Sequence, residues 1–139
     1  MNPVDLLPHQ PPMRLVQEIT ELVPGTRAAG GRRAAVTDFY FDGHFPQNPV
    51  VPAVILVELL AQVAGLAAGA PADGQPANPL QLRVAGLGPF KFPAAAGPNS
   101  YLEARARVIG RLGGLYKVEG EVTADGTTVA VGSVTLAEV

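Results

Sequence analysis

Cysteine is absent from this 139-residue chain, and histidine occurs only twice, at positions 9 and 44. The first absence excludes disulfide bonds and thiolate metal sites, and the wide spacing of the two histidines argues against a histidine-rich metal site. Charged residues make up only 16% of the chain, and the net charge is -2. This charge balance provides no global basic surface for nucleic acid. The sequence therefore predicts no metal, no cofactor and no nucleic-acid partner.

The length fits one domain, residues 1–139, and a hydrophobic content of 47% supplies enough apolar residues for a substantial core. The first seven residues have neither a basic start nor a sustained apolar run of the kind found in signal peptides. We therefore expect a single domain in the cytoplasm.

One apolar segment, residues 50–70, is long enough to raise the question of a transmembrane helix, since about 20 residues span a bilayer. Glu58 and Gln62 lie near its middle, four positions apart and so on one helical face. The segment also lacks flanking Lys or Arg, which transmembrane helices commonly have. A carboxylate at mid-bilayer is costly, so we predict no membrane insertion.

The most informative stretch is Gly-His-Phe-Pro-Gln-Asn-Pro-Val-Val-Pro, residues 43–52, which runs into that apolar segment. Its prolines stiffen the loop that carries His44, and Pro52 fits the first turn of a helix. From Ala53 to Gly69 apolar residues occupy every helical face, which is typical of a buried helix, and Glu58 is its single ionisable residue. A carboxyl group in such a place needs a partner or a function. Glu58 and His44 are therefore candidate site residues.

The rest of the chain predicts strands at 15–23, 26–37, 80–92, 100–109, 115–123 and 128–136. We expect a bulge or bend at Gly30-Gly31, tight hairpin turns at Gly113-Gly114 and Asp125-Gly126, and a mobile loop at 71–79 near any entrance to the site. Apolar residues at 102, 104, 106 and 108 alternate with charged ones, and valines at 129, 131 and 134 follow a similar pattern. We predict an α+β fold, with a curved antiparallel sheet wrapped around the helix.

The order of these elements resembles the hot-dog-fold 3-hydroxyacyl-acyl-carrier-protein dehydratases of the FabZ type over nearly the whole chain. The resemblance is carried by the string at 43–52, by Glu58-x-x-Ala61-Gln62, by Leu-Leu-Pro-His at 6–9 and by Phe-Lys-x-Pro at 90–93. The residues themselves give His9 no role beyond that of a loop or capping histidine.

The resemblance implies a dehydratase in fatty-acid or related acyl-chain biosynthesis, with acyl carrier protein as the partner that brings the substrate. It implies a homodimer, extending to a trimer of dimers, in which His44 of one chain faces Glu58 of the other in an acyl tunnel. His44 would take the α-proton, and Glu58 would donate to the departing hydroxyl or hold the departing water. Gln62 would orient Glu58, and the residues in contact with the substrate would be Gly43, Phe45, Pro52, Ala53 and Gln62.

Ala53 departs from the family pattern, which has glycine after that proline. The N–H at this helix start is suited to polarising a thioester oxygen, and a methyl group there could crowd the thioester or forbid a glycine-only backbone angle. Three alternatives therefore stay open. The chain could isomerise as well as dehydrate, it could be a hot-dog thioesterase, or it could be an acyl-binding or assembly subunit in which Ala53 impairs turnover.

Overall fold

The computed structural model describes residues 2–72 and 81–139, so nearly all of the predicted loop at 71–79 lies outside the described residues. Six strands and one α-helix lie among these residues, and the α+β class is confirmed. In chain order the elements are a 3₁₀ turn (Pro3–Leu6), β1 (Glu18–Val23), β2 (Arg27–Arg33), a second 3₁₀ turn (Phe39–Phe41), α1 (Ala53–Gly69), β3 (Leu82–Leu87), β4 (Tyr101–Leu112), β5 (Leu115–Ala124) and β6 (Thr127–Glu138).

The strands form one antiparallel sheet in the order β1-β2-β4-β5-β6-β3, and α1 packs chiefly against β4 and β2. The prediction for β3 is wrong at its end, because the strand stops at Leu87 rather than at residue 92. Beyond β3, Gly88 N–H still donates to Ser133 O (2.9 Å), and Lys91 forms an isolated bridge with Val131. The chain between β3 and β4 is thereby brought back past the sheet towards the start of the helix.

The bounds of α1 are those predicted, but Pro52 is the cap residue and not part of the first turn. Its carbonyl oxygen accepts hydrogen bonds from Ile55 N–H (2.9 Å) and Leu56 N–H (3.3 Å). The expected burial on all faces is wrong for the helix start, where Ala53 is exposed and Val54 is 73% exposed. The sheet covers only one side of the helix, so in a single chain the opposite side of its first turns stays open.

A bulge predicted at the glycines of β2 lies instead in β1, opposite them, because β2 keeps a continuous register with β4. Ile19 faces Gly30 and Glu21 faces Ala29, so Thr20 is the extra residue of a β-bulge. Glycine is needed at position 30 because a side chain there would collide with the main chain of β1. A Cβ atom there would lie 2.6 Å from the carbonyl oxygen of Glu18 on the neighbouring strand, closer than any real Cβ contact.

A second bulge changes which residues of β6 face the core. Val122 pairs with Ala130 and Thr123 with Thr128, so Val129 is the extra residue. Val129 and Ala130 are both fully buried, and Val131 beyond them is 43% exposed. The expectation that Val131 would share the buried face with Val129 is therefore wrong, because the bulge shifts the two-residue alternation by one position.

The core lies between α1 and the sheet. Its largest fully buried aliphatic side chains come from the helix, from β4, β5 and β6, and from the segment before β1: Leu15, Val16, Leu59, Leu60, Val63, Leu66, Leu102, Val118, Val122, Val129 and Leu136. Each contributes about 1.5–3 kcal/mol by leaving water. Among the described residues, no helix has the length and apolar character needed to cross a membrane.

Candidate active site

His44 lies on a tight turn that follows the second 3₁₀ turn. Its N–H donates to Phe41 O at 3.2 Å, and Gly43 before it adopts φ +72°, a conformation that favours glycine. The imidazole packs edge to face against Phe45, with 4.7 Å between the ring centroids, and Phe45 itself is 63% exposed. A half-buried histidine is thus held beside an apolar ring at the protein surface.

The next part of this loop is fastened to the segment before β4. Val51 N–H donates to Ala96 O at 2.8 Å, directly before Pro52 and the start of α1. The N–H groups of a first helical turn have no acceptor within the helix, and they carry its positive dipole end. Ala53 is the first residue of that turn and is exposed. Its φ is not positive, so the methyl group does not force a backbone angle reserved for glycine.

Glu58 projects from the second turn of α1 and is paired with Gln62, one turn further on. Gln62 Nε2 donates to Glu58 Oε2 at 2.8 Å. The Gln62 side chain is only 1% exposed, whereas that of Glu58 is 29% exposed. The carboxyl group therefore stands at the edge of the core, with one oxygen held from within the protein.

The orientation of the Gln62 amide follows from its other contacts. Its Oε1 accepts from the N–H of Leu15 (2.9 Å) and of Val16 (3.4 Å), and its Nε2 also donates to Met13 O (2.7 Å). Exchanging the oxygen and nitrogen would place an NH₂ group against two N–H donors, so only one orientation satisfies the network. The buried amide thus joins α1 to the segment before β1 and presents an N–H to Glu58.

His9 is the residue that the sequence analysis missed. Its segment is irregular, as expected, but its Nε2 lies 3.5 Å from Glu58 Oε2. Only the resemblance of residues 6–9 to a family motif pointed to this position. Among the described residues of one chain, the histidine that contacts Glu58 is His9, and His44 makes no ion pair with Glu58 within 4 Å. A single chain therefore does not assemble the predicted pair of His44 and Glu58.

Two large surface cavities lie away from both His44 and Glu58. One of about 580 Å³ lies beside Arg105, Arg107 and Val131, and another of about 540 Å³ lies beside Asp5, Arg14 and Asp38. Within residues 2–72 and 81–139 no three carboxylate or imidazole groups cluster as metal ligands would. In one chain, Glu58 is 29% exposed and His44 is half-buried, and among the described residues the two form no ion pair with each other.

A buried polar cluster fastens the loop that leads to His44. The Asp38 carboxylate accepts hydrogen bonds from Arg32 (2.9 and 3.0 Å), from Tyr40 Oη (2.6 Å) and from Ala35 N–H (3.1 Å), and Arg32 also donates to Leu15 O (3.0 Å). Burial alone would raise the pKa of Asp38, but the bonds from Arg32 and Tyr40 outweigh it and lower that pKa. Burial, reinforced by Asp38, raises the pKa of Tyr40 to about 12.

We expect Asp38→Asn to lower the free energy of unfolding at pH 7 by about 1–3 kcal/mol, because it removes an anion that accepts several hydrogen bonds. A carboxyl with a lowered folded-state pKa stabilises the protein above its unfolded pKa and loses this contribution as pH falls through the folded value. The difference between wild type and variant should therefore shrink below about pH 4. Urea unfolding at pH 7 and pH 3 measures both. Asp42→Asn, at an exposed position of the same loop, is the control and should change stability by less than about 0.5 kcal/mol.

The chain matches the family model described as a FabA-like domain over residues 7–133. It is 34% identical over 134 residues to the 3-hydroxyacyl-[acyl-carrier-protein] dehydratase FabZ of Ruminiclostridium cellulolyticum, covering 96% of this chain and 92% of that protein. It is 31% identical over 129 residues to the FabZ of Myxococcus xanthus, covering 93% and 84%.

Solved structures give the same architecture. A chain of the dehydratase heterocomplex ApeI:P from Xenorhabdus doucetiae superposes with a TM-score of 0.78 at 15% identity, covering all of this chain and 91% of that one. An uncharacterized protein from Pyrococcus horikoshii superposes with a TM-score of 0.70 at 18% identity, covering 90% and 84%. At these identities the likeness concerns the fold, and it confirms the predicted hot-dog arrangement of one helix against an antiparallel sheet.

Proposed function

Since the chain belongs to the FabA-like family, we propose that it is a 3-hydroxyacyl-[acyl-carrier-protein] dehydratase, the activity for which its curated relatives are named. Acyl carrier protein presents the 3-hydroxyacyl thioester, and the product is the trans-2-enoyl thioester of fatty-acid or related acyl-chain biosynthesis. The observation that carries the proposal is the Glu58 carboxyl, which stands on an otherwise apolar helix and is hydrogen-bonded by the fully buried Gln62. A packing role does not account for that pair.

The reaction needs one base and one acid. His44 takes the proton from the α-carbon, the bond between the β-carbon and its hydroxyl oxygen breaks, and Glu58 gives its proton to that oxygen, which leaves as water. The α,β double bond forms from the electrons of the broken C–H bond. Negative charge grows on the thioester oxygen during this step, and in this proposal the N–H of Ala53 at the helix start stabilises it.

The proposed site is shared by two chains, so His44 of one chain acts with Glu58 of the partner subunit. Two features support a two-fold dimer. Val54, beside the helix start, is 73% exposed, and β3 is an edge strand whose Val84 and Leu87 are 41% and 58% exposed. We further propose, from the family resemblance, that three such dimers associate into a hexamer. The cytoplasmic location expected from the sequence stays a prediction.

We assign further substrate contacts to the loop that carries His44 and leads into α1. The exposed ring of Phe45 is a wall for the acyl chain, and Gly43 gives the His44 turn its shape. Pro52 fixes the direction in which α1 leaves the loop. Gln62 does not contact the substrate in this scheme, because its amide is already hydrogen-bonded to Leu15, Met13 and Glu58.

The direct test is turnover of a 3-hydroxyacyl and of a 2-enoyl thioester of acyl carrier protein, together with the mass of the assembly by light scattering. Interconversion of the two thioesters by an assembly of two or six chains supports the proposal. Hydrolysis instead would identify a thioesterase, and a thiol reagent detects it without background because the chain has no cysteine. Binding of both thioesters without turnover would identify an acyl-binding subunit, and a monomeric mass at micromolar concentration would defeat the shared site.

Ala53→Gly should raise the rate of enoyl hydration if the methyl group narrows the approach of the thioester oxygen to the helix start. The backbone at Ala53 needs no glycine-only angle, so the substitution changes the space above the N–H and little else. Glycine in a first helical turn costs at most about 1 kcal/mol of stability. Steady-state hydration by the two proteins, with thermal unfolding as the control, measures the effect. Equal rates would mean that the methyl group lies clear of the substrate.

A further inference from the structure

His9 stands against the same carboxyl oxygen as Gln62 does. Its Nε2 is 3.5 Å from Glu58 Oε2, and Gln62 Nε2 is 2.8 Å from that atom. The separation from His9 is long for a hydrogen bond, as is common for catalytic contacts in unliganded sites. The two residues lie on different parts of the chain, Gln62 on α1 and His9 on the segment that precedes β1.

The surroundings of Nδ1, the second ring nitrogen of His9, indicate which tautomer the ring adopts. Nδ1 is buried and, among the described residues, has no protein hydrogen-bond partner. The small cavity of about 20 Å³ beside the ring is lined mainly by apolar groups such as Leu6, Ala61 and Gly65. A hydrogen on Nδ1 would be a buried donor without an acceptor, whereas a hydrogen on Nε2 faces a carboxyl oxygen. The geometry therefore favours the Nε2–H tautomer.

From these contacts we infer that His9 is a positioning residue, which together with Gln62 directs two N–H groups at Oε2 of Glu58 and so confines the transferable proton to Oε1. Oε2 then acts only as an acceptor. A protonated Oε2 would place its hydrogen against the N–H groups of both His9 and Gln62. This inference rests on the proposed dehydratase function, because it specifies which oxygen of Glu58 serves as the acid.

Two substitutions at His9 distinguish the effect of its N–H hydrogen-bond donor from the effect of its side-chain volume. His9→Gln keeps an N–H group that reaches about as far as Nε2 does, and it does not titrate near neutral pH. His9→Leu keeps a side chain of similar volume without any donor. We expect His9→Leu to lower kcat about tenfold with KM within about twofold, and His9→Gln to recover most of kcat.

Both variants should retain the assembly and thermal stability of the wild type, which confines the comparison to the site. Wild-type kcat in both variants would overturn the inference, and so would an equal loss in both, since His9 would then act through its ring or its titration. Recovery by His9→Gln without recovery by His9→Leu supports it.

The tautomer is measured without any turnover. The chain has only two histidines, so long-range ¹H–¹⁵N correlation of histidine-labelled protein yields two ring patterns, and a His44→Asn sample assigns the one from His9. We expect the Nε2–H tautomer for His9, and an Nδ1–H tautomer would overturn the inference. If the wild type turns over no thioester, the proposed function fails, while this spectrum still decides how His9 faces Glu58.

Discussion

His44→Ala and Glu58→Gln should each lower kcat for dehydration by about 10²–10⁴, because each removes one of the two groups that move protons in the reaction. Neither side chain supports the core. His44 is half-buried on a loop, and Glu58 is 29% exposed at the edge of α1. The amide of Gln at position 58 keeps the shape of the carboxyl and cannot deliver its proton. Rates in both directions, measured on folded and assembled protein, give the result.

Glu121→Gln is the matched control for the acid. It makes the same chemical change on β5, where Glu121 borders the cavity of about 580 Å³ beside Arg105 and Arg107. Because that cavity does not include His44 or Glu58, kcat should stay unchanged within a factor of about two. A variant of Glu58 that retained near wild-type kcat would remove the carboxyl from the mechanism.

Mixing the two inactive variants tests whether the site crosses between chains. In a mixed dimer, intact His44 of the Glu58→Gln chain meets intact Glu58 of the His44→Ala chain, so one of the two sites is complete. Random exchange should restore about a quarter of the wild-type activity. Native mass spectrometry verifies the exchange. Verified mixed dimers without activity would mean that the site does not combine His44 of one chain with Glu58 of the other.

Gln62→Leu should lower the free energy of unfolding by about 2–4 kcal/mol and lower kcat as well. The substitution leaves the N–H of Leu15 and Val16 and the carbonyl of Met13 without a partner, all at the buried junction between α1 and the segment before β1. It also frees Glu58 to adopt other rotamers. Urea unfolding at one fixed protein concentration measures the first effect, and steady-state kinetics the second.

The matched control is Gln17→Leu, the same change at a surface glutamine. Gln17 Oε1 accepts a hydrogen bond only from the exposed N–H of Arg33, which water can satisfy, so the cost should stay below about 1 kcal/mol. Equal losses at positions 17 and 62 would show that burial of the Gln62 network contributes little.

The helix was predictable to within a residue because its two ends carry strong local signals. Pro52 lacks an N–H and marks the start, where it is the cap residue, and Pro71 follows the apolar run and marks the end. Glu58 was predictable for the same reason, since one carboxyl in a long apolar helix stands out. Its pairing with Gln62 follows from helical spacing alone.

The features that escaped prediction depend on contacts between distant parts of the chain. The bulge at Val129 has no glycine or proline to mark it, and it arises from the pairing of β6 with β5. The contact between His9 and Glu58 joins residues 49 positions apart, through a segment whose path is fixed by Gln62. Local propensity carries no information about either.

The hydrogen bond from Gln62 to Glu58 also limits how this enzyme can change its acid. An aspartate at position 58 would withdraw the carboxyl by one carbon–carbon bond, about 1.5 Å, and Gln62 could not follow it, because main-chain groups at residues 13, 15 and 16 hold its amide in place. A single Glu-to-Asp exchange would thus break this hydrogen bond and leave one N–H of Gln62 without its carboxyl partner. A second change near residue 62 would be needed to hold the shorter acid in the same way.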